Sequence, residues 1–398
     1  MGSTQNFGLF PVKGTAEGAF STVETAFRKN FSDCLEVGAS ISVYHKGRQV
    51  VDLWGGLADK EQNIPWGRDT LGILASPTKT LATGAVLNLV EKGVLKLDDR
   101  LTDLWPEFGQ RGKSEITLRM ILSQRSGVVC LDHAPVTSEG LKKHWPITHS
   151  IERAVPSWSP GTDFGYHAMT YGHILSEIVL RSTNMTIGTY FAKEIAKPLN
   201  LHCYIGHAGS SRSHLATMYE SKAEQVMDGA DPGNSNRMLA ALRNQSSLTY
   251  RATVASMALD EEPDPEVENA SYDGLSSASS LSRFFASLVG RVDGVRTIGP
   301  GLLHEMNSIQ STGHCRVLLL PATWGLGVML ADGPTFPASA GLSNSFGIGG
   351  ANGNFVFADP TLELSFAYVQ NSGSSQIGAL DEKQVRLIEA TISAAERS

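Results

Sequence analysis

Apolar residues recur at helical spacing over residues 16–33, where Phe20, Val23, Ala26 and Phe27 share one side. The period then changes from 3.6 to 2. Ala39 to Tyr44 alternates as a strand, His45-Lys46-Gly47-Arg48 makes a turn, and Gln49 to Trp54 returns. This pattern predicts a β-hairpin that ends at Gly55-Gly56. A second helix is predicted from Ser76 to Glu91-Lys92, with Gly93 as its C-cap. Leu97 to Leu101 starts a short unit that stops at Pro106, and Ile116 to Leu122 is a further helical patch. Residues 131–150 are polar and histidine-rich, and they read as a surface loop. Beyond the turn at Pro160-Gly161-Thr162, Ile174, Leu175, Ile178 and Val179 mark an amphipathic helix from Thr170 to Arg181.

The stretch 205–270 mixes Gly, Ser, Asn and acidic residues without a period, and it is expected to be a lid-like insertion. Helix resumes over Ala278 to Leu288. Strands are predicted at Trp324 to Leu330, Asn354 to Ala358 and Leu364 to Val369, before a closing helix from Asp381 to Ala395. Strands at both ends of a chain pair only if the middle loops out. The predicted fold is therefore α+β: one antiparallel sheet built from 1–75 and 275–398 and flanked by helices, with 76–274 as a mostly helical second lobe. The site is expected in the cleft between them.

Composition narrows the function classes. The chain has 398 residues, 41% hydrophobic and 18% charged, which is ordinary for a globular enzyme. A net charge of −7 without a basic cluster argues against nucleic acid as partner. No run of eighteen apolar residues suggests a membrane span. The first residues carry neither a basic segment nor an apolar one, and Asn6 stands where myristoylation wants Ser or Thr. A cytoplasmic location is the expectation. Cys34, Cys130, Cys203 and Cys315 are scattered, which suits a reducing compartment and core filler. Asn184-Met185-Thr186 and Asn269-Ala270-Ser271 match the glycosylation acceptor pattern only by chance on this reading. His-x-His and His-x-x-x-His spacings are absent, so no metal and no cofactor are expected. No Gly-x-Ser-x-Gly elbow is present either.

One short stretch carries candidate chemistry, Leu74-Ala75-Ser76-Pro77-Thr78-Lys79. At a helix start, Ser76 and Lys79 lie on one face about one turn apart. A lysine with a lowered pKa is able to take the proton of a serine hydroxyl. The alternative is an N-cap serine followed by a solvated lysine, and the pair alone does not decide.

Three separated stretches together resemble the serine β-lactamase and penicillin-binding-protein superfamily, and within it the β-lactamase-like (family VIII) carboxylesterases and related acyltransferases. The first is Ser76-Pro77-Thr78-Lys79 with its flanks Trp54 to Asp59, Pro65 to Thr70, Leu104 to Phe108 and Ile121 to Gly127. The second is Pro160 to Gly172, with Tyr166-His167-Ala168 in the esterase form. The third is Phe346 to Gly353, running on into Phe357 to Pro360. The resemblance implies that Ser76 is the nucleophile and that Lys79 and Tyr166 share the base and acid roles, with Lys79 lowering the tyrosine pKa. It also implies an oxyanion hole from the backbone N–H groups of Ser76 and Ala351.

Trp324, Ile348, Gly349, Gly350 and His167 are candidate pocket residues. Trp324 is equally readable as packing, His167 reads first as structural packing, and the glycines are also readable as a plain turn. At Ile348 the family usually has lysine or histidine, and at Ala168 the β-lactamases have asparagine. Both departures point away from anionic β-lactam or D-alanyl-peptide substrates, towards a neutral or hydrophobic ester, thioester or amide. The expected partners are a small acyl substrate and, for transfer, an alcohol, an amine or a carrier-bound acyl donor. A catalytically silent binding protein is the reading from another class.

Overall fold

The structure, a computed structural model, describes residues 11–132, 136–206, 213–219, 234–257, 267–331, 343–374 and 380–398. Its largest unit is an antiparallel sheet that joins the two ends of the chain. The strands are β1 (Lys13–Ala16), β2 (Gly38–His45), β3 (Arg48–Asp59), β4 (Ile64–Pro65), β8 (Ser311–His314), β9 (Pro321–Trp324), β10 (Met329–Leu330), β11 (Phe346–Gly349), β12 (Phe355–Asp359) and β13 (Leu364–Gln370). Their order is β1-β3-β2-β13-β12-β11-β10-β9-β8, with β4 on β3. The join is β2 on β13, where Ser42 faces Ala367 and Ile41 faces Tyr368.

Side-chain alternation fixes what covers each face. Ser365 bonds Ser282 of the helix Ala278–Val289, which lies on one side. Tyr368, an odd number of residues on, points to the other side and donates to Glu36. Helices Ser21–Ser32 and Glu382–Ala395 pack together there. The carboxyl of Glu36 is buried with Lys383, whose Nζ stands 3.5 Å away. The helix Ala278–Val289 carries Phe284 and Phe285 into the core, against Phe191 and Phe346.

Several expectations are corrected. Residues 131–150 are not simply a loop, because Ser138–Lys143 and Trp145–Arg153 are helical. Ile147 and Ile151 are four apart and buried, a short stripe hidden among polar residues. The hairpin does not stop at Gly55-Gly56, since β3 continues to Asp59. Gly56 pairs with Gly38 at φ +77°, and a Cβ there would lie 2.1 Å from the Val37 carbonyl oxygen. The glycine serves close approach, not termination. The segment Trp324 to Leu330 is a hairpin of β9 and β10 rather than one strand.

A separate three-stranded sheet went unpredicted. β5 (Gly72–Ile73), β7 (Leu275–Ser276) and β6 (Cys203–Tyr204) run in the order β5-β7-β6. Of the supposed lid, the described part contains helices Asn234–Arg243 and Leu248–Ala252; residues 207–212, 220–233 and 258–266 lie outside the described residues. All four cysteines are free. Among the described residues no helix is long and apolar enough to cross a membrane.

Candidate active site

Ser76, the candidate nucleophile, sits on a strand-to-helix turn. Leu74 N–H donates to the Gly274 carbonyl at 2.7 Å, extending the β5–β7 pairing to the residue before the turn. Ala75 then adopts φ +56°, a left-handed conformation that costs a residue with a Cβ about 1–2 kcal/mol. Ser76 follows, and the helix Thr78–Glu91 begins two residues later, behind Pro77. The strain is held from three sides. Thr78 Oγ1 donates to the Ala75 carbonyl at 2.6 Å and accepts from Gly274 N–H at 2.8 Å. Asn352 and Asn354 both donate side-chain N–H bonds to the Ile73 carbonyl at 2.6 Å.

Around this turn the structure gathers the expected residues. The Tyr166 hydroxyl donates to Ser76 Oγ at 2.7 Å. Lys79 is buried, its Nζ 5.0 Å from the centroid of the Tyr166 ring. Its one hydrogen-bond partner among the described residues is the Ser271 carbonyl, at 2.7 Å. Among the described residues no carboxylate pairs with the ammonium, and burial lowers its pKa to about 7.

The electrostatics reverse one expectation. Lys79 was to lower the tyrosine pKa, yet burial pushes Tyr166 well above the ordinary phenol value. The lysine is the tuned group, and Tyr166 stays a phenol. A neutral amine is able to accept the serine proton, and a phenol is able to deliver one.

The end of β11 abuts the same turn. A Cβ on Gly350 would lie 2.6 Å from the Leu74 carbonyl oxygen and 3.2 Å from Pro77 Cδ, so only glycine fits there. Gly350 N–H is spent on the Asn354 carbonyl at 2.7 Å. Among the described residues, the N–H groups of Ser76 and Ala351 have no backbone acceptor.

The other candidates fall behind this centre. Trp324 is buried and stacks on Tyr166, centroids 5.5 Å apart at 19°, so it backs the phenol rather than facing a substrate. Ile348 is a correction: at 2% exposure, paired with Val356, it is part of the hydrophobic core. His167 packs, as its position beside Tyr166 suggested, and does not line a pocket. It is buried, with Nε2 on Ser126 Oγ and Nδ1 on the Gly165 carbonyl, and burial lowers its pKa to about 4. Its ring is a packed neutral imidazole. Gly349 is half-buried at the strand end.

Sequence reasoning missed the residues that hold the site. Ser271 places its carbonyl on Lys79, while its hydroxyl donates to the Met169 carbonyl and accepts from Gly172 N–H. It lies just beyond the irregular stretch, where no period signalled it. Asn269 of the glycosylation pattern is buried and caps the Ser271 N–H at 3.0 Å. Gln384 grips the Gly353 carbonyl at 2.8 Å, tying the last helix to the β11–β12 turn. Among the described residues no group of three or more metal-binding side chains occurs.

Asp273, next to the Gly274 that clamps the turn, is half-buried, and its carboxyl makes no hydrogen bond or ion pair among the described residues. Burial pushes its pKa up to about 7. An acid with a raised folded pKa costs stability above its unfolded value, and the full cost is reached above the folded one. Asp273→Asn is therefore expected to raise Tm at pH 8 and to do little at pH 4. Discounted for partial exposure, the gain at pH 8 is about 2 kcal/mol. Equal shifts at the two pH values would show that the carboxyl carries no such penalty.

Comparison with known proteins shows the family. The family model described as Beta-lactamase matches residues 27–390. The esterase/beta-lactamase LipL of Mycobacterium tuberculosis is 26% identical over 372 residues, covering 90% of this chain and 83% of that protein. A penicillin-binding-protein homologue from Caulobacter crescentus superposes with a TM-score of 0.82 at 30% identity, covering 96% of this chain and 100% of that one. A family VIII carboxylesterase superposes with a TM-score of 0.80 at 30% identity, covering 96% and 98%. With the family model spanning nearly the whole chain, and Ser76, Lys79 and Tyr166 gathered at one turn, the protein belongs to the Beta-lactamase family.

Proposed function

We propose that the protein is a serine esterase that cleaves a neutral or hydrophobic ester through an acyl-Ser76 intermediate. The observation that carries this is the 2.7 Å hydrogen bond from Tyr166 to Ser76, two residues 90 apart in sequence, beside a buried lysine tuned to about 7. Because Tyr166 donates to Ser76 Oγ, the serine proton leaves in another direction, towards neutral Lys79. Oγ bonds the ester carbonyl carbon while the N–H groups of Ser76 and Ala351 receive the oxyanion. The alkoxy C–O bond then breaks, and the departing alkoxide takes the phenol proton of Tyr166, which Lys79 replaces. Water repeats the sequence in reverse to free the acid.

Substrate charge follows from what is missing. Ile348 and Ala168 are both buried and apolar, so neither offers a cation or an amide to a substrate carboxylate. A neutral p-nitrophenyl butyrate is expected to exceed a chromogenic cephalosporin in kcat/KM by about 100-fold, the worth of one charged hydrogen bond or two. A faster cephalosporin would overturn the neutral-ester reading. Adding methanol or a primary amine to the same assay separates hydrolysis from acyl transfer, because either acceptor diverts the same acyl-enzyme from acid to ester or amide.

A further inference from the structure

We propose that the turn 315–320 sets the position of Tyr166, with Cys315 as its positioning residue. This rests on the esterase reading above, in which Tyr166 hands a proton to the leaving group. Tyr166 lies in the irregular stretch between the Gly161 turn and the helix Thr170–Thr183, so no helix or strand ladder fixes its backbone. Its N–H is instead donated to Cys315 Sγ at 3.2 Å, and the same sulfur accepts from Leu318 N–H at 3.4 Å. Cys315 is fully buried, and its own backbone closes the turn: its N–H donates to the Leu320 carbonyl, and its carbonyl accepts from Leu319 N–H, both at 2.9 Å.

A second rung lies beside the first. Arg316 N–H donates to the Phe164 carbonyl at 3.2 Å, and its guanidinium meets Asp163 at 3.2 Å. The turn is thus docked along residues 163–166 by backbone, sulfur and charge. From its far side, Thr249 Oγ1 in the helix Leu248–Ala252 donates to the Val317 carbonyl at 2.8 Å. A thiol is a weak acceptor, so a buried cysteine is an uncommon choice for the bond that anchors a reacting residue. Its larger radius sets the Tyr166 backbone farther out than a serine hydroxyl would.

Two esters of one acid that differ only in the leaving group test this. p-Nitrophenolate departs without a proton, whereas ethoxide needs the one from Tyr166. For Cys315→Ala and Cys315→Val, kcat/KM on the ethyl ester, which reports acylation and not the shared deacylation step, is expected to fall ~10- to 100-fold, the cost of misplacing a reacting group by a fraction of an ångström to an ångström. The p-nitrophenyl ester should lose less than about threefold in kcat/KM. Cys315→Ser, which keeps an acceptor, should restore most of the ethyl ester rate.

The ratio of the two rates on one sample does not depend on the folded fraction, so a partly unfolded variant cannot mimic the result. Equal losses on both esters, or none, would overturn the positioning role. Tyr166→Phe run alongside separates the two ideas. If it too spares neither ester selectively, the proton-donor reading of Tyr166 fails; if it is selective and the Cys315 variants are not, only the positioning role fails.

Discussion

Ser76→Ala is expected to abolish covalent capture and to lower ester turnover by about 10⁴-fold or more, as loss of a serine nucleophile does in other acyl-transfer enzymes. The wild-type protein, treated with a short activated ester or a serine-directed phosphonate, should gain a single adduct by intact mass, on the peptide that contains Ser76. The variant should gain none. Its stability should hardly change, because the hydroxyl removed makes one bond, to Tyr166, in a half-buried place. Losing such a bond costs about 1 kcal/mol. An unmodified wild-type protein with a cooperative melting transition would remove Ser76 as nucleophile and return the chain to the silent binding reading. An adduct that survives in the variant would mean that another side chain reacts.

The parts of this centre differ in how far they could be read from residues alone. That Ser76, Lys79 and Tyr166 come together was legible because each lies in a compact motif with its own flanks. The joining of the chain's ends was legible too, because Ala39 to Tyr44 and Leu364 to Val369 both have strand character and a helical middle can loop out to let them pair. The small sheet β5-β7-β6 was not, since two-residue strands have no period to detect. The grip of Asn352 and Asn354 on the Ile73 carbonyl links positions about 280 apart through side-chain amides, and no local pattern encodes such a bond.

The pocket residues failed for another reason. Motif membership told that Ile348 and His167 lie next to reacting residues, but not which way each side chain faces. On a strand, adjacent residues face opposite sides, so a neighbour of the site is often a core residue. The direction of the Tyr166 shift was illegible for a related reason: it depends on burial by Trp324 and the surrounding chain, which only the folded structure supplies.

Lys79→Met is the second large effect, and it should separate activity from stability. If Lys79 is the proposed base, its removal is expected to lower the rate of acylation about 10³-fold, the upper part of the range for a general base. In the wild type, the pKa near 7 makes kcat/KM rise about tenfold per pH unit below 7 and level off above it. Stability runs in parallel. In the unfolded chain the lysine titrates at its ordinary value of 10.5, and in the folded state at about 7. The folded state therefore prefers the neutral amine. The penalty is complete below pH 7, shrinks between 7 and 10.5, and vanishes above.

Methionine removes that penalty but leaves the Ser271 carbonyl without its donor, a loss of about 1–3 kcal/mol that does not vary with pH. The variant should gain Tm relative to wild type at pH 6 and lose that advantage by pH 10. A wild-type rate that is flat from pH 5 to 9, together with a Tm difference independent of pH, would show that Lys79 is charged throughout. Proton removal from Ser76 would then have to be assigned to another group.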